Sequence, residues 1–289
     1  MAGASGLLGR RVVRAFRGRG DEVVAFVRGG GEVDGARTVQ WFPTAEPVPA
    51  GALDGVDAVV NLAGSPIARR WNDEVKREIR ASRVETTRRL VDALDGVPVL
   101  VNASAVGYYG DREEPADESA PPGSGFLAEA CVDWETAAMR AGEGGARVVL
   151  LRSAPVLSKD GGLMERLLPP FRLGLGGPLG GGHQWFPWIH EDDWVGLVLW
   201  ALDGDVAGPV NLAAPSPVRQ RDFAAALGRV LHRPAVLPAP AFALRMAFGE
   251  GATALLEGQN VVPAVARDGG FPYRFADLDA ALGDVASRS

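Results

Sequence analysis

Gly3-Ala4-Ser5-Gly6-Leu7-Leu8-Gly9, with only Met1 and Ala2 before it, is the stretch that decides the fold. Its G-x-x-G-x-x-G spacing is a variant of the dinucleotide-binding fingerprint. It leads into a helical pattern with Leu7, Leu8, Val12, Val13 and Phe16 on the apolar side. Such a loop needs glycine because a backbone without Cβ atoms lets N–H groups at the helix start approach a pyrophosphate. It also needs a strand to deliver the chain to Gly3. A central strand cut to two residues leaves backbone groups unpaired on both neighbours. The expectation is therefore a truncated first strand, with the natural start upstream or another segment filling the gap.

Outward from the loop, Glu22-Val23-Val24-Ala25-Phe26-Val27-Arg28 reads as a strand and Thr38-Val39-Gln40-Trp41 as a further one. Val56 to Gly64 reads as a buried strand ending in Ala63-Gly64. Residues 71–95 carry the apolar spacing of a long amphipathic helix. Val97 to Ser104 is the next strand, a helix fits about 124–141, and Arg147 to Arg152 is another apolar strand. Strands that are near-continuous apolar runs, alternating with helices, predict a doubly wound parallel α/β (Rossmann) sheet covered on both faces. Beyond residue 155 the glycines of 174–182 and the prolines at 215, 217, 234, 238 and 240 change the texture, with helices expected at 191–203, 219–231 and 241–257. The expected division is a nucleotide-binding domain over 1–155, to which about 186–206 returns, and a small C-terminal α/β substrate-binding cap formed by 156–185 and 207–289.

Composition excludes several classes. Hydrophobic residues make up 47% and charged residues 23%, and 30 basic against 36 acidic side chains give a net charge of −6, which provides no electrostatic footprint for nucleic acid. No apolar run reaches the roughly 18 residues of a membrane span. Cys131 is the only cysteine, so no intrachain disulfide forms, and the three histidines are too scattered for a zinc motif. No metal, membrane or nucleic-acid partner is expected. The N-terminus lacks the regions of a signal peptide, which makes cytoplasmic the expected location.

Arg28 ends the second strand of the nucleotide-binding pattern. An acidic residue there would hold the ribose 2′-hydroxyl, whereas arginine suits a 2′-phosphate through charge-assisted hydrogen bonds. The expected cofactor is NADP(H), and its candidate binding set is Gly3, Ser5, Gly6, Leu7, Leu8, Gly9, Arg28, Leu62, Ala63, Gly64 and Ala103. In Asn102-Ala103-Ser104-Ala105-Val106-Gly107-Tyr108-Tyr109-Gly110 a hydroxyl and two phenols follow a strand end. Ser104, Tyr108 and Tyr109 are the candidate catalytic residues, Ser104 as a hydrogen-bonding group and a tyrosine as general acid or base. A strand-end turn with two packing aromatics accounts for the same residues. His190, Asp192 and Asp193 read as structure: an aspartate caps the following helix and His190 bonds nearby backbone.

The glycine loop, Asn61-Leu62-Ala63-Gly64-Ser65-Pro66-Ile67, Ser82-Arg83-Val84, Ser104 to Gly110, Phe126-Leu127-Ala128-Glu129, Leu167 to Gly180 and Trp188 to Asp193 together resemble the extended short-chain dehydrogenase/reductases. Within them the chain is similar to an atypical branch of epimerase-family oxidoreductases. The resemblance covers nearly the whole chain, and it implies an NADP-binding Rossmann domain with a small substrate-binding C-terminal part.

One departure stands out. Typical members of the wider superfamily carry a Tyr-x-x-x-Lys pair on the helix after the serine strand, and here Leu127 and Cys131 fall at those positions. Three accounts remain open: substitute groups (Ser104, Tyr108 and Tyr109, with Glu129 behind them) carry catalysis; the protein binds NADP without turnover, as a regulatory or scaffold protein; or the substrate supplies the proton path. Cys131 itself reads as a small buried hydrophobe. Between 155 and 190 only Lys159, Arg166 and Arg172 are cationic, so an apolar small molecule is expected ahead of a sugar nucleotide. A homodimer is a further expectation.

Overall fold

The computed structural model describes residues 1–287. Its centre is a parallel sheet. β1 (Val24–Val27) pairs with β2 (Arg37–Gln40), while β3 (Val59–Asn61), β4 (Val99–Ala105), β6 (Arg147–Ser153) and β10 (Gly208–Leu212) follow one another in the order β10-β6-β4-β3. Ala2 joins the two groups, bridging Phe26 on one side and Asn61 on the other. Its N–H donates to the Val60 carbonyl at 2.9 Å, its carbonyl accepts from Leu62 at 3.0 Å, and the Met1 carbonyl accepts from Phe26 at 2.9 Å.

The lane expected to hold a truncated strand thus contains Met1 and Ala2, and these pair both neighbours at the end nearest the glycine loop. Below them a cavity of about 700 Å³ is lined by Met1, Val24, Val59 and Val60 among others. Burial lowers the Met1 ammonium to about 5.

Alternation along the strands sends side chains to two cores. Val101, Val149 and Leu151 face α1 (Leu7–Gly18) and α5 (Glu191–Asp203), packing with Val12, Val13, Trp194 and Leu197. Leu100, Val148 and Leu150 face the opposite way, into a core with Leu90 and Ala138. These two come from α2 (Asp73–Asp92) and α3 (Phe126–Met139). Such double coverage is why the strand sequences are apolar throughout.

The smaller core gathers Leu157, Met164, Leu168, Phe171, Trp188, Phe223, Leu227 and Leu282. They come largely from α4 (Leu163–Arg172), α6 (Gln220–Val230) and α10 (Leu278–Ser287), with β7 (Val156–Leu157) paired to β9 (Ile189–His190) beneath them. β5 (Arg112–Ala116) pairs with β12 (Gln259–Val261), and β8 (Trp185–Phe186) with β11 (Val218–Arg219).

Three expectations need adjustment. The segment returning to the sheet extends past 206, because β10 pairs with β6 from Gly208 through Leu212, so 208–212 lie in the central sheet. α4 was not anticipated: Pro169 and Pro170 forfeit two helix donors, yet Met164, Leu168 and Phe171 bury one continuous face and hold it. The single helix expected over 241–257 breaks at Gly249 into α7 (Ala241–Phe248) and α8 (Thr253–Leu256), ahead of α9 (Ala264–Asp268). No helix among the described residues is long and apolar enough to cross a membrane.

Candidate cofactor and active site

The glycine loop turns from Ala2 into α1 at the carboxyl end of the sheet. Gly3 has φ +76°, and a Cβ there would stand 2.6 Å from the Leu62 carbonyl carbon; one on Gly9 would stand 2.1 Å from the Gly3 oxygen. Both contacts are impossible for a side chain, so these glycines let the loop lie against the end of β3 and the helix pack on the loop. Gly6 is the N-cap, and a Cβ on it would meet only the Gly3 oxygen, at 3.3 Å. The first turn of α1 carries no acidic side chain. Open approach and unopposed helix N–H groups fit an anionic pyrophosphate.

The remaining cofactor candidates surround this loop. Leu62 and Ala63 are half-buried and Gly64 is exposed at the end of β3, while Ala103 is half-buried on β4. Ser5 is exposed, and Leu7 and Leu8 are half-buried. Arg28 follows β1, exposed, with no hydrogen bond or ion pair among the described residues, and Gly29 to Gly31 leave open space after it. A solvated guanidinium with no carboxylate partner is available to a phosphate.

Ser104, 4% exposed, donates its hydroxyl to Glu135 Oε1 at 2.6 Å. Glu135 receives Arg152 through Nε at 2.9 Å and Nη2 at 2.8 Å. Burial opposes the Arg152 charge most strongly, but the bidentate carboxylate and Tyr109 outweigh it and raise the guanidinium above its ordinary range. Arg152 Nη1 donates to the Tyr109 hydroxyl at 3.0 Å, which donates to Asn211 Oδ1 at 2.7 Å. The Asn211 amide N–H reaches Glu118 Oε1 at 2.9 Å. This chain of bonds ties β4, α3, β6 and β10 together. Tyr109 is 1% exposed, and burial pushes its phenol up to about 12. Its position is inside the sheet's support.

Tyr108 differs. It is half-buried, and the Arg152 guanidinium lies 3.5 Å from its ring centroid. Leu127 packs at the strand end, its Cβ 3.5 Å from where a Gly107 side chain would begin. Cys131 is buried, its Sγ 3.8 Å from the Ala105 carbonyl, and burial, reinforced by the Glu135 charge, pushes its thiol up to about 12. Glu129 is exposed on the first turn of α3. The two α3 positions therefore carry an alkyl group and a buried thiol that stays protonated near neutral pH.

The His190 reading is corrected in one respect. His190 itself is the N-cap of α5, its Nδ1 accepting from the Asp192 N–H at 3.1 Å. Asp193 instead accepts from the N–H groups of Arg274 and Phe275, each at 2.8 Å. Burial lowers the imidazole against the pull of Asp192, Asp284 and Asp193. No group of three or more His, Cys, Asp or Glu side chains among the described residues is arranged to hold a metal ion.

Sequence reasoning missed Arg152, Glu118, Asn211 and Glu135. The available signal was charge inside apolar context: Glu135 sits in an alanine-rich helix and Arg152 ends an unbroken aliphatic strand. Such charges require buried partners.

The family model described as "NAD dependent epimerase/dehydratase family" matches residues 1–213, and one described as "Domain of unknown function (DUF1731)" matches 239–285. The chain is 42% identical over 294 residues to the chloroplastic epimerase family protein SDR39U1 homolog of Arabidopsis thaliana, covering 98% of this chain and 84% of that protein. It is similar to the crystal structure of human epimerase family protein SDR39U1 (isoform 2) with NADPH, at 37% identity and a TM-score of 0.90, covering 100% and 98% of the two chains. MoeE5 in complex with UDP-glucuronic acid and NAD shares the fold, with a TM-score of 0.80 at 22% identity over 99% of this chain and 98% of that one.

Proposed function

The chain belongs to the NAD dependent epimerase/dehydratase family, and from that premise we propose that it is an NADP(H)-dependent oxidoreductase or epimerase-like protein acting on a small molecule. The observation that carries the reading is Arg28, exposed and without an ion-pair partner among the described residues, at the end of β1 in a fold whose glycine loop a side chain at Gly3 or Gly9 would obstruct. The NADPH held by the human relative supports it.

When bound, the nicotinamide supplies hydride donor and acceptor chemistry at its C4. The chain's own residues do the rest. The N–H groups of Gly3 to Gly9 hold the pyrophosphate, Arg28 takes the 2′-phosphate, and Leu62, Ala63, Gly64 and Ala103 form the floor along β3 and β4. The Ser104 oxygen, its proton committed to Glu135, keeps a lone pair to accept a bond from a substrate hydroxyl. Tyr108 is the phenol we assign to proton exchange with the substrate oxygen, in the field of the Arg152 charge on its ring face. A weakly charged carbonyl or hydroxyl compound suits the cap better than a sugar diphosphate. Between 155 and 190 only Lys159, Arg166 and Arg172 are cationic, and Arg166 spends Nη1 on the Ala68 carbonyl at 3.0 Å.

Leu127 and Cys131 favour a second reading, NADP binding in a regulatory or scaffold role without turnover, because neither moves a proton near neutral pH. Following 340 nm absorbance of protein-bound NADPH against a panel of aldehydes, ketones and sugar nucleotides separates the two. Reoxidation that Ser104→Ala and Tyr108→Phe slow, with cofactor affinity kept, supports the enzyme. Tight NADPH binding with no reoxidation by any compound supports the second reading, and equal affinity for NADPH and NADH removes the 2′-phosphate assignment from both.

A further inference from the structure

Arg83 projects from α2 onto the end of β3. Its guanidinium lies flat against Gly64, where a Cβ would sit 3.1 Å from Cζ, and 5.3 Å from the centroid of the Trp134 ring on α3. Nη1 donates to the Ile79 carbonyl at 3.0 Å and Nη2 to the Ser65 carbonyl at 3.1 Å. Carbonyls and a ring face orient this cation without neutralising it. Among the described residues no carboxylate makes an ion pair with it, in contrast to Arg152 with Glu135 and Arg11 with Glu191. Burial lowers its pKa, as expected of a desolvated, uncompensated charge, and Cys131 beside it supplies no anion while its thiol stays protonated.

Its place in the sheet gives this charge a target. Arg28 sits beyond β1 and the glycine loop beyond Ala2, so the adenosine half of a dinucleotide lies on the β1–β2 side. The nicotinamide half then extends over the ends of β3 and β4. Arg83 stands where those two ends meet α3, against Gly64 and Ser65 of one and beside Cys131, whose Sγ contacts the Ala105 carbonyl of the other. The oxidised nicotinamide ring carries one positive charge that the reduced ring lacks, whereas the phosphates are common to both forms. A fixed cation near the ring attracts the phosphates of both forms equally and repels only the oxidised ring.

We propose that Arg83 sets the redox preference of the cofactor site, holding NADPH more tightly than NADP⁺. The proposal rests on the NADP(H)-binding reading above. It makes the reduced cofactor the resident form, so that substrate meets a protein already charged with hydride.

The test compares dissociation constants for NADPH, by its fluorescence, and NADP⁺, by displacement and by calorimetry, in the full chain and in Arg83→Met, Arg83→Gln and Arg83→Lys. The expected ratio Kd(NADP⁺)/Kd(NADPH) is about tenfold in the unaltered protein, or about 1.4 kcal/mol. The midpoint potential of the bound couple then rises by about 30 mV over the free couple. The ratio should fall toward one in Arg83→Met and Arg83→Gln and persist in Arg83→Lys, which keeps the charge. A purely structural Arg83 changes both constants by the same factor and leaves the ratio alone, which overturns the proposal. So does a ratio at or below one in the unaltered protein, with no variant required. Failure of both cofactor forms to bind the unaltered protein is a different result, and it removes the NADP(H)-binding reading itself.

Discussion

The Ser104 hydroxyl hands its hydrogen bond to Glu135 at 2.6 Å across the β4–α3 interface, so the crevice-side serine is coupled to a buried ion pair. That coupling fixes which way the serine points. It also makes the sheet's stability depend on charges almost wholly out of water.

Removing one partner of such a pair leaves the other uncompensated, at a cost of roughly 3–5 kcal/mol. Glu135→Ala should therefore destabilise strongly in urea unfolding, because Arg152 is 3% exposed and loses both of its carboxylate bonds. The double change Glu135→Leu with Arg152→Met should cost much less than the sum of its parts. Additive losses would show that the pair is not a coupled unit.

Arg28→Asp should weaken NADP⁺ and NADPH binding by about tenfold or more, the loss of a charge-assisted phosphate contact. NAD⁺ and NADH binding should change little. Titration of the four nucleotides checks this, and equal losses for the phosphorylated and unphosphorylated forms would reject the contact.

Two glycines of one helix should respond oppositely. Gly9→Ala drives a methyl into the Gly3 carbonyl at 2.1 Å, so cofactor affinity and thermal stability should both fall. Gly18→Ala, at the end of α1 with nothing within 4 Å, should be neutral or stabilise by up to about 1 kcal/mol. Thermal unfolding with and without NADPH compares them; a tolerated Gly9→Ala contradicts the packing described here.

Cys131 is raised from 9.0 and Tyr109 from 10.0, each to about 12. The unfolded chain therefore loses these protons first as pH rises, and the folded state is the one that retains them. Their contribution to stability is complete below about pH 9 and is lost progressively toward pH 12. Unfolding midpoints across pH 8–11 should decline, and Cys131→Ala should flatten the lower part of that decline. The same protonation predicts that the native thiol resists alkylation at pH 8 and reacts only in denaturant.

The elements that were legible are those whose patterns are local. Val148 to Leu151 is aliphatic because both sheet faces are covered, and α5 spans the residues 191–203 expected to be helical. α4 was obscured by Pro169 and Pro170, whose local cost is offset by a buried face visible only in three dimensions. The helix over 241–257 failed for the opposite reason: its composition is helical, but the backbone leaves the helical region at Gly249, φ +58° and ψ −135°, where it bridges Trp71.

What the sequence alone determined is a doubly wound parallel sheet with a glycine loop leading into its first helix, because fingerprint, strand and helix periodicities are written within a few neighbouring residues. Tertiary structure decided which polar groups are free to act. Ser104, Tyr108 and Tyr109 stand close together in the chain, yet Tyr109 is sealed against Asn211, Ser104 is tied to Glu135, and Tyr108 lies on the face of Arg152. Arg83 lies within the amphipathic pattern of 71–95, and only the fold lays it on Gly64 with no carboxylate ion pair among the described residues. Burial and partnership come from residues distant in sequence, and they set the charge state and hydrogen-bonding of each group.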